Sequence, residues 1–201
     1  EDQPLNIEDL DTTPLEQFNV WFQIAIDAEV NEANAMAIST ISEEGTPRSR
    51  YVLFKDIVDN KLVFYSDYES SKGREMENNP NISGLFFWPE LHRQIRLEGV
   101  VSKTSDEVSD NYFASRPRGA QLSAIASSQS TEIEGRETVE DRIKELEIEF
   151  EGKDIPRPDN WGGYAIDISF WEFWQGRRSR THDRFIYVKN DNSWEITRLS
   201  P

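Results

Sequence analysis

The sequence predicts a mainly β protein, an antiparallel sheet closed into a barrel with helices appended to it. Three observations predict this. Short β-branched and aromatic runs fill residues 35–67 and 81–103, and they return at 164–199. Between the two β-rich blocks the pattern turns helical. The run RQIRLE alternates Arg93, Ile95 and Leu97 with Gln94, Arg96 and Glu98, as a strand with two distinct faces does.

The elements follow in order. Residues 1–12, EDQPLNIEDLDT, are polar and expected to be mobile. Thr13 caps a helix with Pro14 in its first turn and Glu16 completing a capping box; Leu15, Phe18, Phe22 and Ala25 form its apolar stripe. AMAISTIS, RSRYVLFKDI and KLVFYSD read as strands separated by turns at EEGTP and VDN. SSKGREMENNP reads as a short helix closed by Asn and Pro. NISGLFFWP and LHRQIRLEGVVSK are two further strands joined by a tight turn at Pro89 and Glu90. Three helical stretches follow, SDEVSDNYFASRP, GAQLSAIASSQS and GRETVEDRIKELEIEF, the last with Val139, Ile143, Leu146 and Phe150 on one face. IPRPDNWGG is a rigid linker, not a domain boundary, because the strands YAIDISFWEFWQG, RFIYVKN and SWEITRLS come after it.

Composition narrows the function. A chain of 201 residues suits one large domain with a real core, here residues 13–201. Its net charge of −16 disfavours nucleic acid and anionic membrane as partners, since both repel it at long range. There are no cysteines, so disulfides, thiolate metal sites and Cys nucleophiles are excluded, and two histidines argue against zinc. No secretory or membrane-spanning apolar run is present, so a cytoplasmic location is expected.

Against that acidity, cations and aromatic rings gather in a few places. Arg50 and Lys55 lie five apart, on opposite faces of a regular strand, so a bulge or strand end must intervene if both serve one ligand. YSDYESSKG supplies hydroxyls, Lys72 and a helix start near Ser70, an arrangement that suits phosphate and equally an ordinary capped helix. Tyr112 and Arg116 are i and i+4, on one side of a helix, either for phosphate or as a stacked surface pair. EFWQGRRSRTHDR packs Arg177, Arg178, Arg180 and Arg184 around His182, just after Trp171 and Trp174. No nucleophile elbow, Walker loop or dinucleotide fingerprint appears.

Taken together and in order, RYVLFK, FYSDYESSKG, ENNP, RQIRLEG, YFASRPRGAQ, SSQS, PRPDNWGGY, EFWQGRRSRTHDR and the terminal WEITRLSP resemble the pyridoxamine 5′-phosphate oxidase family across residues 13–201. The resemblance implies an FMN-binding split β-barrel, a homodimer with FMN at the subunit interface. It also implies oxidation of pyridoxamine or pyridoxine 5′-phosphate to pyridoxal 5′-phosphate, O₂ being reduced to H₂O₂. Carried onto matching positions, the flavin site comprises Arg50, Tyr51, Val52, Leu53, Phe54, Lys55, Tyr65, Ser66, Ser71, Lys72, Gln94, Gln129, Ser130, Trp174 and Arg184, some from the other subunit. Lys55, Tyr112 and Arg116 resemble the clamp on the substrate phosphate. Arg180 and His182 match the residues that hold the pyridine ring against the flavin, Arg180 for positioning and electrostatic support and His182 for orientation.

The chain departs from the family pattern in four places. Ala120 stands where a serine usually joins the phosphate clamp, and Ser71 where a basic residue helps bind the FMN phosphate. Thr181 replaces a leucine between Arg180 and His182. The family's N-terminal Arg-and-Tyr segment, which folds over the active site, has no counterpart in EDQPLNIEDL; it was trimmed, or this branch lacks it. These departures keep two alternatives open: an FMN-dependent oxidase of the phenazine-pathway type, and a flavin-binding protein without turnover.

Overall fold

The computed structural model describes residues 4–191 and 193–201. Among these residues nine antiparallel strands form one sheet: β1 (Ala35–Ile41), β2 (Pro47–Leu53), β3 (Asp56–Val58), β4 (Lys61–Asp67), β5 (Asn81–Trp88), β6 (Arg93–Lys103), β7 (Trp161–Gln175), β8 (Asp183–Asn190) and β9 (Ser193–Leu199). Strand order runs β2-β1-β5-β6-β7-β4-β3. The long β7 pairs β6 along its length, β4 through its first half and β8 through its second. One strand thus belongs to two edges, and the sheet curls into the split barrel. A bulge between Glu98 and Gly99 sharpens the curl; a Cβ on Gly99 would lie 2.3 Å from the Asp167 carbonyl oxygen.

Among the described residues five α-helices accompany the sheet: α1 (Pro14–Asp27), α2 (Ser71–Asn78), α3 (Asp106–Ser115), α4 (Arg118–Ala126) and α5 (Arg136–Glu149). Thr13 Oγ1 caps α1 by accepting from the Glu16 amide, while the Glu16 carboxylate accepts from the Thr13 hydroxyl instead of its backbone N–H. Phe18, Trp21 and Ala25 of α1 enter the main core with Met36, Ile38, Phe86, Ile95, Leu97, Trp171 and Phe173. A smaller core of Phe113, Leu122, Leu146, Ile155 and Trp161 holds α3, α4 and α5 beside β7. No helix among the described residues is long and apolar enough to cross a membrane.

Several boundaries differ from the sequence reading; α3 and α4 end at Ser115 and Ala126, short of the stretches read as helical. The run expected as one strand at RSRYVLFKDI breaks at Phe54 and Lys55, because the Phe54 amide turns to the Asn34 carbonyl and the Lys55 amide to Val63. The linker loses its last three residues to β7, where Gly162 and Gly163 pair with Ser66 and Tyr65. Of the segment expected to be mobile, residues 1–3 lie outside the described residues, and residues 4–12 are tied down. The Leu5 amide donates to Asp183 Oδ2, Arg198 donates to the Leu5 carbonyl, and the Tyr187 hydroxyl donates to the Asp11 carbonyl. Leu5 is buried and Leu10 packs against the same core, so two apolar residues in a polar run dock the segment.

Candidate functional site

A cavity of about 690 Å³ opens between the sheet and the helical layer. Tyr51, Val52 and Leu53 at the end of β2, Lys55 in the break, and Tyr65 and Ser66 of β4 line one side. Lys72 of α2, Tyr112 and Arg116 at the end of α3, Ala120 of α4, Gln129 and Trp161 line the rest. Tyr112 and Arg116 do not share a helix as their spacing suggested. Arg116 is already extended, with φ −71° and ψ 148°, because Pro117 disfavours helical geometry in the residue before it. Both side chains nevertheless reach the cavity.

The cavity floor is a stack of flat groups. The Tyr65 and Tyr112 rings lie 3.7 Å apart at 9°, Trp161 lies parallel to both, and the Arg116 guanidinium sits 4.6 Å from the Trp161 ring. Glycines permit the approach: a Cβ on Gly163 would stand 2.5 Å from Thr104 Oγ1 and 3.0 Å from the Tyr65 ring. Arg157 fixes the start of β7 by donating to Asp106, Asp110 and the Trp161 carbonyl. Burial raises the Tyr65 hydroxyl pKa to about 12 and also raises that of Tyr112, so both phenols remain neutral donors.

The charge of the cavity suits phosphate. Lys72 Nζ donates to Ser70 Oγ at 2.9 Å and to Gln129 Oε1 at 2.8 Å, both neutral. Burial, reinforced by the charge on Arg50, lowers its pKa to about 8. Arg116 Nη1 is buried without a hydrogen-bond partner. Asp67 is the cavity's acid, but its oxygens are taken by the Glu69 amide, Asn160 and the Gln129 amide. Lys55, Lys72 and Arg116 form no ion pair among the described residues. An under-satisfied cationic pocket with aromatic walls fits FMN: Lys72 and Gln129 could hold its phosphate, with residues 51–55 and Tyr65 beside the rest.

The other candidates lie elsewhere. Arg50 is outside the lining; it is held by Glu75 Oε2 at 2.8 Å and by Thr40. Phe54 packs its ring on Phe18, Phe22 and Phe86 in the core, so its side chain does not reach the cavity. Ser71 opens α2 beside Lys72 without lining the cavity, and Ser130 is an exposed residue at φ 67°. Gln94, Trp174 and Arg184 stand in one row across β6, β7 and β8, on the strand faces opposite the buried Ile95, Phe173 and Phe185. His182 lies 4.6 Å from the Trp174 ring, and its Nδ1 accepts the Arg177 amide. Arg180 is exposed at φ 61° in the turn after β7.

The candidates therefore form two groups within one chain. Gly163 faces Tyr65, and Trp174 is eleven residues further along β7. At ~3.3 Å per residue that is about 36 Å of strand path. Sequence reasoning missed Trp161 as a wall of the cavity, although WGG before a strand was a signal for close packing. It also missed the buried Glu75 and Glu172, for which residue type carries no sign of burial.

Fold and cavity define a flavin-binding split-barrel protein. The family model for pyridoxamine 5′-phosphate oxidase matches residues 22–149, and that for the pyridoxine 5′-phosphate oxidase C-terminal dimerisation region matches residues 161–201. The chain is 49% identical over 200 residues to a pyridoxine/pyridoxamine 5′-phosphate oxidase of Burkholderia mallei, covering 98% of this chain and 93% of the relative. It is 46% identical over 199 residues to that of a Cyanothece species, covering 99% and 93%. A crystal structure of PhzG from Burkholderia lata in complex with tetrahydrophenazine-1-carboxylic acid superposes with a TM-score of 0.93 at 30% identity, covering 100% of this chain and 98% of that one. This chain belongs to the pyridoxamine 5′-phosphate oxidase family; it is an FMN-dependent oxidase.

Proposed function

We propose that the protein oxidises pyridoxamine and pyridoxine 5′-phosphate to pyridoxal 5′-phosphate, with O₂ reduced to H₂O₂. The observation that carries this reading is the convergence of Lys55, Tyr112, Arg116 and Lys72 on one cavity, where the three cations form no ion pair among the described residues. That is more unpaired positive charge than a single phosphate needs. Lys72 and Gln129 serve the cofactor phosphate, and Lys55, Tyr112 and Arg116 clamp that of the substrate. Arg116, held flat on Trp161, presents a fork to phosphate oxygens.

FMN, held by Lys72, Gln129, residues 51–53 and Lys55, would supply the redox chemistry that passes a hydride equivalent from the substrate to O₂. The side chains orient one ring on another, exclude water and hold charge. The strand path between the two groups is why the working unit is proposed to be a homodimer, with the partner subunit's Arg180 and His182 over the substrate ring. The matched C-terminal dimerisation region supports this.

A phenazine-type oxidation is the second reading, favoured by the likeness to PhzG and by Ala120, which offers the clamp no hydroxyl. Adding pyridoxamine 5′-phosphate to the holoenzyme without oxygen is expected to bleach the flavin, and admitting air to yield pyridoxal 5′-phosphate and H₂O₂. Bleaching by a reduced phenazine carboxylate instead would establish the second reading. A flavin that stays oxidised with both would mean binding without turnover. Ala120→Ser is expected to lower KM for the phosphorylated substrate about fivefold, one added hydrogen bond of about 1 kcal/mol, with kcat little changed. An unchanged or raised KM in steady-state assays would take position 120 out of the clamp.

A further inference from the structure

Glu172 is 3% exposed, yet it is a carboxylate near the end of β7. It shares a strand face with Trp174 and lies opposite Arg96 of β6, with Arg184 of β8 on the diagonal. Its two oxygens divide the work. Oε1 accepts from Arg184 Nε at 2.7 Å, and Oε2 accepts from Arg96 Nε at 3.2 Å and Nη2 at 3.0 Å. Arg96 Nη1 passes on to Glu98 at 2.6 Å, while Arg184 Nη1 donates to the Ser200 carbonyl at 3.0 Å. Burial alone would raise the Glu172 pKa; the hydrogen bonds from Arg184 and then Arg96 outweigh it and hold the group below the ordinary range, so it stays ionised.

The consequence falls on Arg184. Its guanidinium is held at Nε by Glu172 and at Nη1 by the Ser200 carbonyl, so its plane is fixed and Nη2 is its one nitrogen with no partner among the described residues. A free arginine loses rotamer entropy when it binds a ligand; one already locked does not. We propose that Glu172 is a positioning residue for FMN, acting through Arg184, with the Ser200 carbonyl as the second brace. This rests on the reading that places Arg184 at the flavin.

Titration of apoprotein with FMN, followed by quenching of flavin fluorescence, tests it. Glu172→Gln is expected to raise the dissociation constant about tenfold, the scale of coupling between contacting residues. Arg184→Ala is expected to raise it by at least as much, and adding Glu172→Gln to Arg184→Ala to change it by less than about twofold. An undiminished effect of Glu172→Gln in the Arg184→Ala background would overturn the proposal, as would wild-type affinity in Glu172→Gln. If Arg184→Ala itself binds FMN normally, the flavin assignment of Arg184 has failed, which is a separate outcome. Should Glu172→Gln not fold, Glu172→Asp decides by the same cycle. It keeps the charge but is one methylene too short to reach both arginines, so it too must weaken FMN binding, and only when Arg184 is present.

Discussion

Lys72→Met is expected to raise the dissociation constant for FMN about a hundredfold, the usual scale for truncating one partner of a buried, hydrogen-bonded charge pair. Lys72 is 8% exposed and its ammonium is bonded to two neutral oxygens, so in the apoprotein its charge is desolvated without an opposite charge in contact. Such a group suits an incoming phosphate and costs the empty fold. The thermal midpoint of the apoprotein should therefore be unchanged or higher in Lys72→Met.

The pH dependence has a definite sign. With its pKa lowered from 10.5 to about 8, folded Lys72 binds fewer protons than the unfolded chain between those values. Its contribution to stability therefore rises with pH across that window, and the penalty is full below about pH 8. A wild-type minus Lys72→Met difference in urea stability should show this slope. FMN affinity should weaken above about pH 8 in wild type and lose that dependence in the variant. Equal FMN affinity in the two proteins would remove Lys72 from the phosphate site.

Phe18→Ala is expected to destabilise the protein by about 4 kcal/mol, the range for deleting a buried phenyl ring. Phe18 is 0% exposed and its ring lies within 5.3–5.6 Å of those of Phe22, Phe54, Phe86 and Trp171. It clamps α1 onto the sheet at the point where Phe54 leaves β2. The melting midpoint should fall by about 10 °C for a domain of this size. FMN affinity should also drop, because residues 51–53 and Lys55 are carried by the segment that Phe54 anchors. A urea-unfolding loss below about 1 kcal/mol would show that the core closes without this ring.

Much of this was legible in advance, for identifiable reasons. Alternation of apolar and polar residues gave away β6, and Thr13, Pro14 and Glu16 announced α1. Pro117 after Arg116 is a legible sign that the helix ends there, although the i, i+4 spacing of Tyr112 and Arg116 taken alone points to one helical face. The break at Phe54 and Lys55 was not legible, because it depends on the Asn34 and Val63 carbonyls, which are distant in sequence. Leu5 and Leu10 gave no signal in a polar run, since scattered apolar residues dock only if a groove awaits them.

The sequence by itself determined the element types, the acidic surface, the absence of thiol chemistry and the membership of a flavin-oxidase family, because these follow from residue kind and order. Tertiary structure decided which cations are left unpaired. Arg50, Arg96 and Arg184 are matched by the buried Glu75 and Glu172, whereas Lys55, Lys72 and Arg116 face the cavity unmatched. Charge is written in the chain, but its compensation depends on what lies within about 4 Å after folding, and that distance sets whether an arginine braces the fold or awaits a phosphate.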